Sequence, residues 1–184
     1  MAAGPTAKSS AMIRPLFNEL VYVQLVSEST KLFEQWGDYV GGSAGFVQNG
    51  FLRITDSLEN DALAGDLDLA KSQGVNFQII PNDELKNYAP NGEFLEKEMA
   101  VLFTDGGYAD PYLTTLSLAA AAKRLGAEII EGVSVTGIKV SQGCIDAVQT
   151  DAGEISTRTV INCAGAWSDR IAAYAGQWLT RELQ

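Results

Sequence analysis

Asp110-Pro111 and Gly126 mark the ends of one helix more sharply than any other pair of residues in the chain. An aspartate at the N-cap offers its carboxylate to the first free backbone N–H groups. Proline at the first helical position sacrifices nothing, because its missing N–H would have no partner there. Gly126 ends the helix, since glycine takes the left-handed conformation cheaply. Between them runs TTLSLAAAAKRL, whose small residues permit close packing against a sheet. After Gly126 the pattern changes to strands. Residues 128–131, 134–140, 144–150 and 154–156 read as extended, with turns at Gln142-Gly143 and Asp151-Ala152-Gly153. Residues 159–163 (TVINC) read as a buried strand leading into Ala164-Gly165-Ala166, with a last helix from near Ser168. Helix, strand, β-meander, strand and small-residue turn predict an α/β layer carrying an inserted antiparallel piece.

The preceding half alternates in the same way. Residues 18–36 predict a helix with Val21, Leu25, Leu32 and Trp36 on one face, closed by Gly37 and Gly41-Gly42. Residues 46–55 read as extended, with a hairpin at Asn49-Gly50. Ser57 caps a second helix that ends before Gly74 and buries Ala62, Leu63, Leu67 and Ala70. Residues 75–80 form a short strand, Asn82 caps one helical turn through Tyr88, and residues 99–104 form another strand.

Composition removes several chemistries. Histidine is absent, which excludes a Ser-His-Asp triad and a His-based zinc site. Cys144 and Cys163 are the only thiols. Two isolated cysteines make neither a metal site nor a disulfide framework, and they read as reduced, buried small residues. The net charge of -10 repels phosphate backbones and acidic membranes. No apolar run reaches the ~18 residues that a spanning helix needs, and the opening MAAGPTAKSS is no signal peptide. The expectation is a soluble, cytoplasmic protein with a small-molecule partner, without nucleic acid, membrane or metal.

Three segments carry a resemblance, in order along the chain. One is Gly4-Pro5-Thr6-Ala7-Lys8-Ser9-Ser10-Ala11-Met12-Ile13-Arg14. The second is Gly107-Tyr108-Ala109-Asp110-Pro111-Tyr112 with its Ala-rich helix. The third is Val160-Ile161-Asn162-Cys163-Ala164-Gly165-Ala166-Trp167-Ser168-Asp169. Together they resemble the glycine oxidase, sarcosine oxidase and D-amino-acid oxidase superfamily of FAD enzymes, most of all the sarcosine oxidase beta-subunit and dimethylglycine dehydrogenase branch. The resemblance implies FAD as cofactor and oxidation of the C–N bond of an amino acid or N-methylated amine, by hydride transfer to flavin. It implies that Thr6, Ser9 and Ser10 lie along the flavin ring, that Val135 meets the adenine through its backbone, and that Ala164, Gly165 and Trp167 pass beside FAD. Arg14 matches a position that faces a substrate carboxylate, which a guanidinium fork suits. No dedicated catalytic acid or base is implied, because the redox chemistry belongs to the cofactor.

The chain also departs from that pattern. Gly-x-Gly-x-x-Gly, which seats a pyrophosphate on a helix N-terminus, does not occur, and Gly41-Gly42-Ser43-Ala44-Gly45 does not substitute for it. The expectation is therefore one incomplete domain over 1–184: a partial FAD-binding Rossmann-like layer (1–40 and 105–184) with antiparallel substrate-domain strands (41–104). Such a piece, lacking the dinucleotide unit and later substrate strands, is expected to be inactive alone. It is also expected to cover its open faces by rearrangement, by homo-oligomerisation or with a second subunit. Two alternatives stand beside it: a non-catalytic subunit or interaction module that keeps the fold, and one half of a split enzyme.

Overall fold

The computed structural model describes residues 1–2, 4–58 and 61–177. The chain divides into two compact units, Met1–Glu128 and Ile129–Gln184. In the first, strand β1 (Met12–Ile13) precedes helix α1 (Leu20–Glu34) and the short helix α2 (Trp36–Tyr39). Strand β2 (Phe51–Thr55), helix α3 (Asp61–Ser72), strand β3 (Phe77–Ile80) and the single turn α4 (Leu85–Tyr88) follow. Strands β4 (Met99–Phe103) and β5 (Gly107–Tyr108) then lead to helix α5 (Pro111–Arg124).

The main sheet is antiparallel with strand order β2-β4-β3. Phe103 lies opposite both Phe51 and Phe77, and Val101 opposite both Arg53 and Ile79. Strand alternation sends successive β4 side chains to opposite faces. Val101 and Phe103 pack with Val23, Leu63, Leu67 and Ala70 beneath α1 and α3, while Ala100 packs with Ile80 and Leu85 on the other face. The central strand is thus covered on both sides, and Val101 and Phe103 are fully buried.

Helix α1 forms where the spacing predicts, but it turns a different face inward. Val23 and Thr30 are buried, whereas Val21 and Leu25 remain 52% and 59% exposed. Thr30 tolerates burial because its hydroxyl donates to the Val26 carbonyl at 2.9 Å. Trp36 leaves the α1 face altogether: Gln35 breaks the helix, and Trp36 starts a second cluster with Val40 and Ala44. No hairpin forms at Asn49-Gly50. Gly50 takes φ +82° and its N–H donates to Gly106 O, so the bend delivers β2 to β4 instead.

Helix α5 has the ends its sequence announces. Asp110 accepts from Tyr112 N and Leu113 N at 2.8 and 2.9 Å, and Pro111 occupies the first turn. Three tethers hold the helix to the 40–45 turn. Ser117 Oγ donates to Ser43 O at 2.7 Å, Arg124 donates to Val40 O, and Thr114 Oγ1 reaches Ala44 O. Gly45 must be glycine here: its φ is +60°, and a Cβ would lie 2.8 Å from that of Asp110. No residue of α5 is buried.

The second unit is an antiparallel meander of β6 (Val135–Ser141), β7 (Cys144–Thr150) and β8 (Gly153–Ser156), followed by helix α6 (Ser168–Tyr174). Gln142 and Gly143 both take positive φ in the tight β6–β7 turn. The α/β expectation thus holds, with antiparallel sheets. Two expected strands do not form, however. Residues 128–131 and 159–163 have no ladder partner among the described residues, and Ile161 is 83% exposed. A strand is a property of a pair, and an apolar extended segment without a neighbour is not one. Cys144 and Cys163 are free and exposed, contrary to the expectation of burial.

Candidate functional site

The residues expected at a flavin separate into two groups by unit. Thr6, Ser9, Ser10 and Arg14 belong to the first; Val135, Ala164, Gly165 and Trp167 belong to the second. Each group has its own local construction.

In the first unit, a 3-10 turn over Pro5–Lys8 ends at Ser9, whose N–H donates to Thr6 O at 3.1 Å. The Ser9 hydroxyl accepts from Ala11 N at 3.0 Å, and Ala11 O in turn accepts from Ala109 N at 3.0 Å. The turn is thereby fastened to the β1–β5 pair and to the entrance of α5. Thr6 and Ser9 line a cleft of about 220 Å³ together with Ile13, Phe33, Ala109 and Thr115. Thr115 directs its hydroxyl proton to Pro111 O, whereas Ser9 accepts a bond and keeps its proton for an outside acceptor. Thr6 and Ser9 are therefore the donors this cleft offers. Ser10 is exposed and does not line it.

Arg14 does not share that cleft. It follows β1 directly, and its guanidinium stands 5.2 Å from the Phe17 ring centroid. It lines a second cleft, of about 370 Å³, with Arg53, Asp66, Asn18 and Thr55. Arg53 and Asp66 were not marked by the sequence. They come to line the same cleft as Arg14 only through the β2–β4 register and the packing of α3, which no local signal announces.

In the second unit, Val135 opens β6 opposite Thr150, and the ladder shifts register between Val135 and Gly137. Such a bulge leaves backbone groups beside Val135 outside the ladder. Gly165 begins a 3-10 turn through Trp167 with φ +56°, and among the described residues outside that turn no atom lies within 4 Å of where its Cβ would stand. The turn is held from both sides. Asn162 Nδ2 donates to Ser168 O at 2.7 Å, Asn162 Oδ1 accepts from Ala164 N at 3.2 Å, and Ser168 Oγ donates to Gly165 O. Trp167 is 49% exposed. The Ala-Gly-Ala backbone is thus fixed in shape, and its small side chains leave room for close approach. Asn162 lies in the motif but carries no expectation from the sequence; its role as a clamp becomes visible only in three dimensions.

Those features fit parts of an FAD molecule. The Thr6 and Ser9 donors suit the polar edge of a flavin ring, and the small-residue turn at Gly165 and the bulge at Val135 suit backbone approach. No Gly-x-Gly-x-x-Gly turn occurs to receive the pyrophosphate.

The chain belongs to the family described as FAD dependent oxidoreductase, which it matches over residues 1–183. It is 28% identical over 183 residues to the mitochondrial sarcosine dehydrogenase of Homo sapiens, covering 96% of this chain and 20% of that protein. The crystal structure of L-proline dehydrogenase from P. horikoshii superposes with a TM-score of 0.86 at 29% identity, over 95% of this chain and 46% of the other. The mitochondrial pyruvate dehydrogenase phosphatase regulatory subunit of Mus musculus is 24% identical over 172 residues, covering 91% of this chain and 19% of that protein. The chain therefore spans about a fifth of the length of these curated relatives. Two of these relatives carry mitochondrial names, so similarity lends no weight to a cytoplasmic location. Among the described residues no helix is long and apolar enough to cross a membrane.

Proposed function

We propose that the chain is part of an FAD-dependent oxidoreductase that oxidises the C–N bond of an amino acid or N-methylated amine such as sarcosine. The observation that carries this reading is the family match over residues 1–183, which includes both the Thr6–Arg14 segment and the Ala164–Trp167 turn. When bound, FAD supplies the electron acceptor, which explains how a chain without histidine can serve redox chemistry. The protein's own residues bind and orient. Thr6 and Ser9 donate hydrogen bonds to the ring edge, with Ser10 beside them. Ala164 and Gly165 admit the cofactor against backbone, with Trp167 beside it. Val135 meets the adenine through its main chain. Arg14 holds the substrate carboxylate in a charge-assisted pair.

In the same reading, residues 1–40 and 105–184 belong to the flavin side and residues 41–104 to the substrate side. The exposed apolar residues Leu125 (88%) and Ile161 are covered by a second subunit or a further copy of the chain. Similarity to a protein named as a regulatory subunit favours a second reading, in which the fold serves as a non-catalytic module.

The test is an absorbance spectrum of the purified chain before and after incubation with excess FAD and desalting, followed by anaerobic sarcosine, dimethylglycine, proline and glycine. Retained flavin bands that bleach with one amine support the oxidoreductase reading. Retained bands that no amine bleaches favour the non-catalytic module. A colourless protein refutes flavin binding by this chain alone and moves the search to a second polypeptide.

A further inference from the structure

We propose that residues 159–163 pair antiparallel with the same residues of a second copy of the chain, with Ile161 on the two-fold axis. The inference goes beyond the flavin reading and does not depend on it.

The segment has the form of a strand and lacks only the neighbour. Thr157 N donates to Asp146 O at 3.1 Å, and beyond that bond the chain leaves β7. Val160 and Asn162 line one cleft with Ile138, Ile145 and Ile171, while Ile161 between them is 83% exposed. Side chains thus alternate as they do on a strand. Both ends are fixed. Thr157 Oγ1 accepts from Thr159 N at 3.2 Å and donates to Thr159 O at 3.0 Å, and Asn162 clamps Ala164 N and Ser168 O. Between these ends, the backbone N–H and C=O groups of Val160, Ile161, Asn162 and Cys163 have no hydrogen-bond partner among the described residues. An extended segment held at both ends, with its ladder groups free, is a template for another strand.

Charge selects the occupant and its direction. At a net charge of -10, two copies repel over most of their surface. Residues 159–168 carry no charge, so two copies can meet there without that penalty. Arg158 precedes the strip and Asp169 follows it. The bond from Asn162 Nδ2 to Ser168 O, at 2.7 Å, keeps the start of α6 at the Cys163 end of the strip. An antiparallel pair therefore brings Arg158 of each copy toward the end that carries Asp169 of the other, whereas a parallel pair sets like charges side by side. Centring on Ile161 joins the two exposed isoleucines, with Val160 against Asn162 and Thr159 against Cys163. A slip of one residue would turn the two cleft faces to opposite sides of the pair. Five residues a side bury less than the roughly 1,200–2,000 Å² of a stable interface, so the dimer dissociates on dilution.

The test is sedimentation velocity of the full chain over a dilution series, with disulfide trapping to read the register. The parent sediments as a dimer at about 1 mM and as a monomer on dilution. I161K is a monomer throughout, and its circular dichroism matches the parent because the side chain it replaces is exposed. Opposed residues of antiparallel strands lie about 4.5–5.5 Å apart at Cα, within the roughly 4.4–6.8 Å that a disulfide spans. I161C, in a chain that also carries C144S and C163S, therefore forms a covalent dimer on mild oxidation. T159C with C144S crosslinks as well, through Cys163 of the second copy. C144S alone does not crosslink, since the two Cys163 residues would stand four positions apart along the pair, about 13 Å. A parent that is monomeric at about 1 mM, an unchanged dimer in I161K, failure of both I161C and T159C to crosslink, or a disulfide between the two Cys163 residues overturns the proposal. Flavin retention is read by absorbance on the same samples, so failure of the pairing and failure of the flavin reading give different results.

Discussion

Asn162 spans the turn that ends at Ser168: its Nδ2 donates to Ser168 O at 2.7 Å while its Oδ1 accepts from Ala164 N at 3.2 Å. One amide side chain thus sets the curvature of the Ala-Gly-Ala backbone. Asn162→Ala removes both bonds and is expected to cost about 1–2 kcal/mol of local stability. Hydrogen exchange at the Ala164 and Trp167 amides should accelerate, and Trp167 emission should move. Protection equal to that of the parent would mean the turn holds itself.

Asp110 caps α5 by accepting bonds from Tyr112 N and Leu113 N on one carboxylate oxygen. Asp110→Ala should destabilise the chain by about 1 kcal/mol in urea unfolding, while Asp110→Asn should retain most of the stability. Equal losses in both variants would shift the explanation from hydrogen bonding to charge at the helix terminus.

Phe103 and Leu118 differ in burial, and the prediction separates them. Phe103 is fully buried between the rings of Phe51 and Phe77, so Phe103→Ala should cost about 3–5 kcal/mol. Leu118 on α5 is exposed, and Leu118→Ala should change stability by about 0.5 kcal/mol or less. Thermal melts of the two variants test the contrast directly.

Leu125 and Ile161 present apolar surface to water. Light scattering should give a mass above that of one chain, falling toward the monomer in Leu125→Glu and Ile161→Lys. A monodisperse parent of monomer mass would show that these residues need no cover.

The sequence was legible where its signals are local. Asp110, Pro111 and Gly126 stop and start a helix by their own backbone chemistry, and α5 has those limits. The β6–β7–β8 meander was legible for the same reason, through its turn residues. The inward face of α1 was not. Val21 with Leu25 and Val23 with Thr30 form competing stripes, and the hydroxyl bond that makes Thr30 buriable is invisible in a hydropathy pattern. Residues 159–163 have the composition of a strand, but pairing depends on a neighbour. Among the site residues, Thr6 and Ser9 converge on one cleft as a local turn would predict. Arg14, Arg53 and Asp66 come to line one cleft only after β2 has found its register and α3 has docked.

Strand β4 comes last of its sheet in the chain and lies in the middle of it. During synthesis, β2 and β3 therefore emerge with no ladder partner between them, and each must wait for residues 99–103. The sheet forms late and all at once, by closing two long loops onto a single strand, and its folding rate is governed by that search rather than by any hairpin. A chain stalled before Met99 would leave the apolar residues of 51–55 and 77–80 without a sheet to bury them, the kind of surface that chaperones hold.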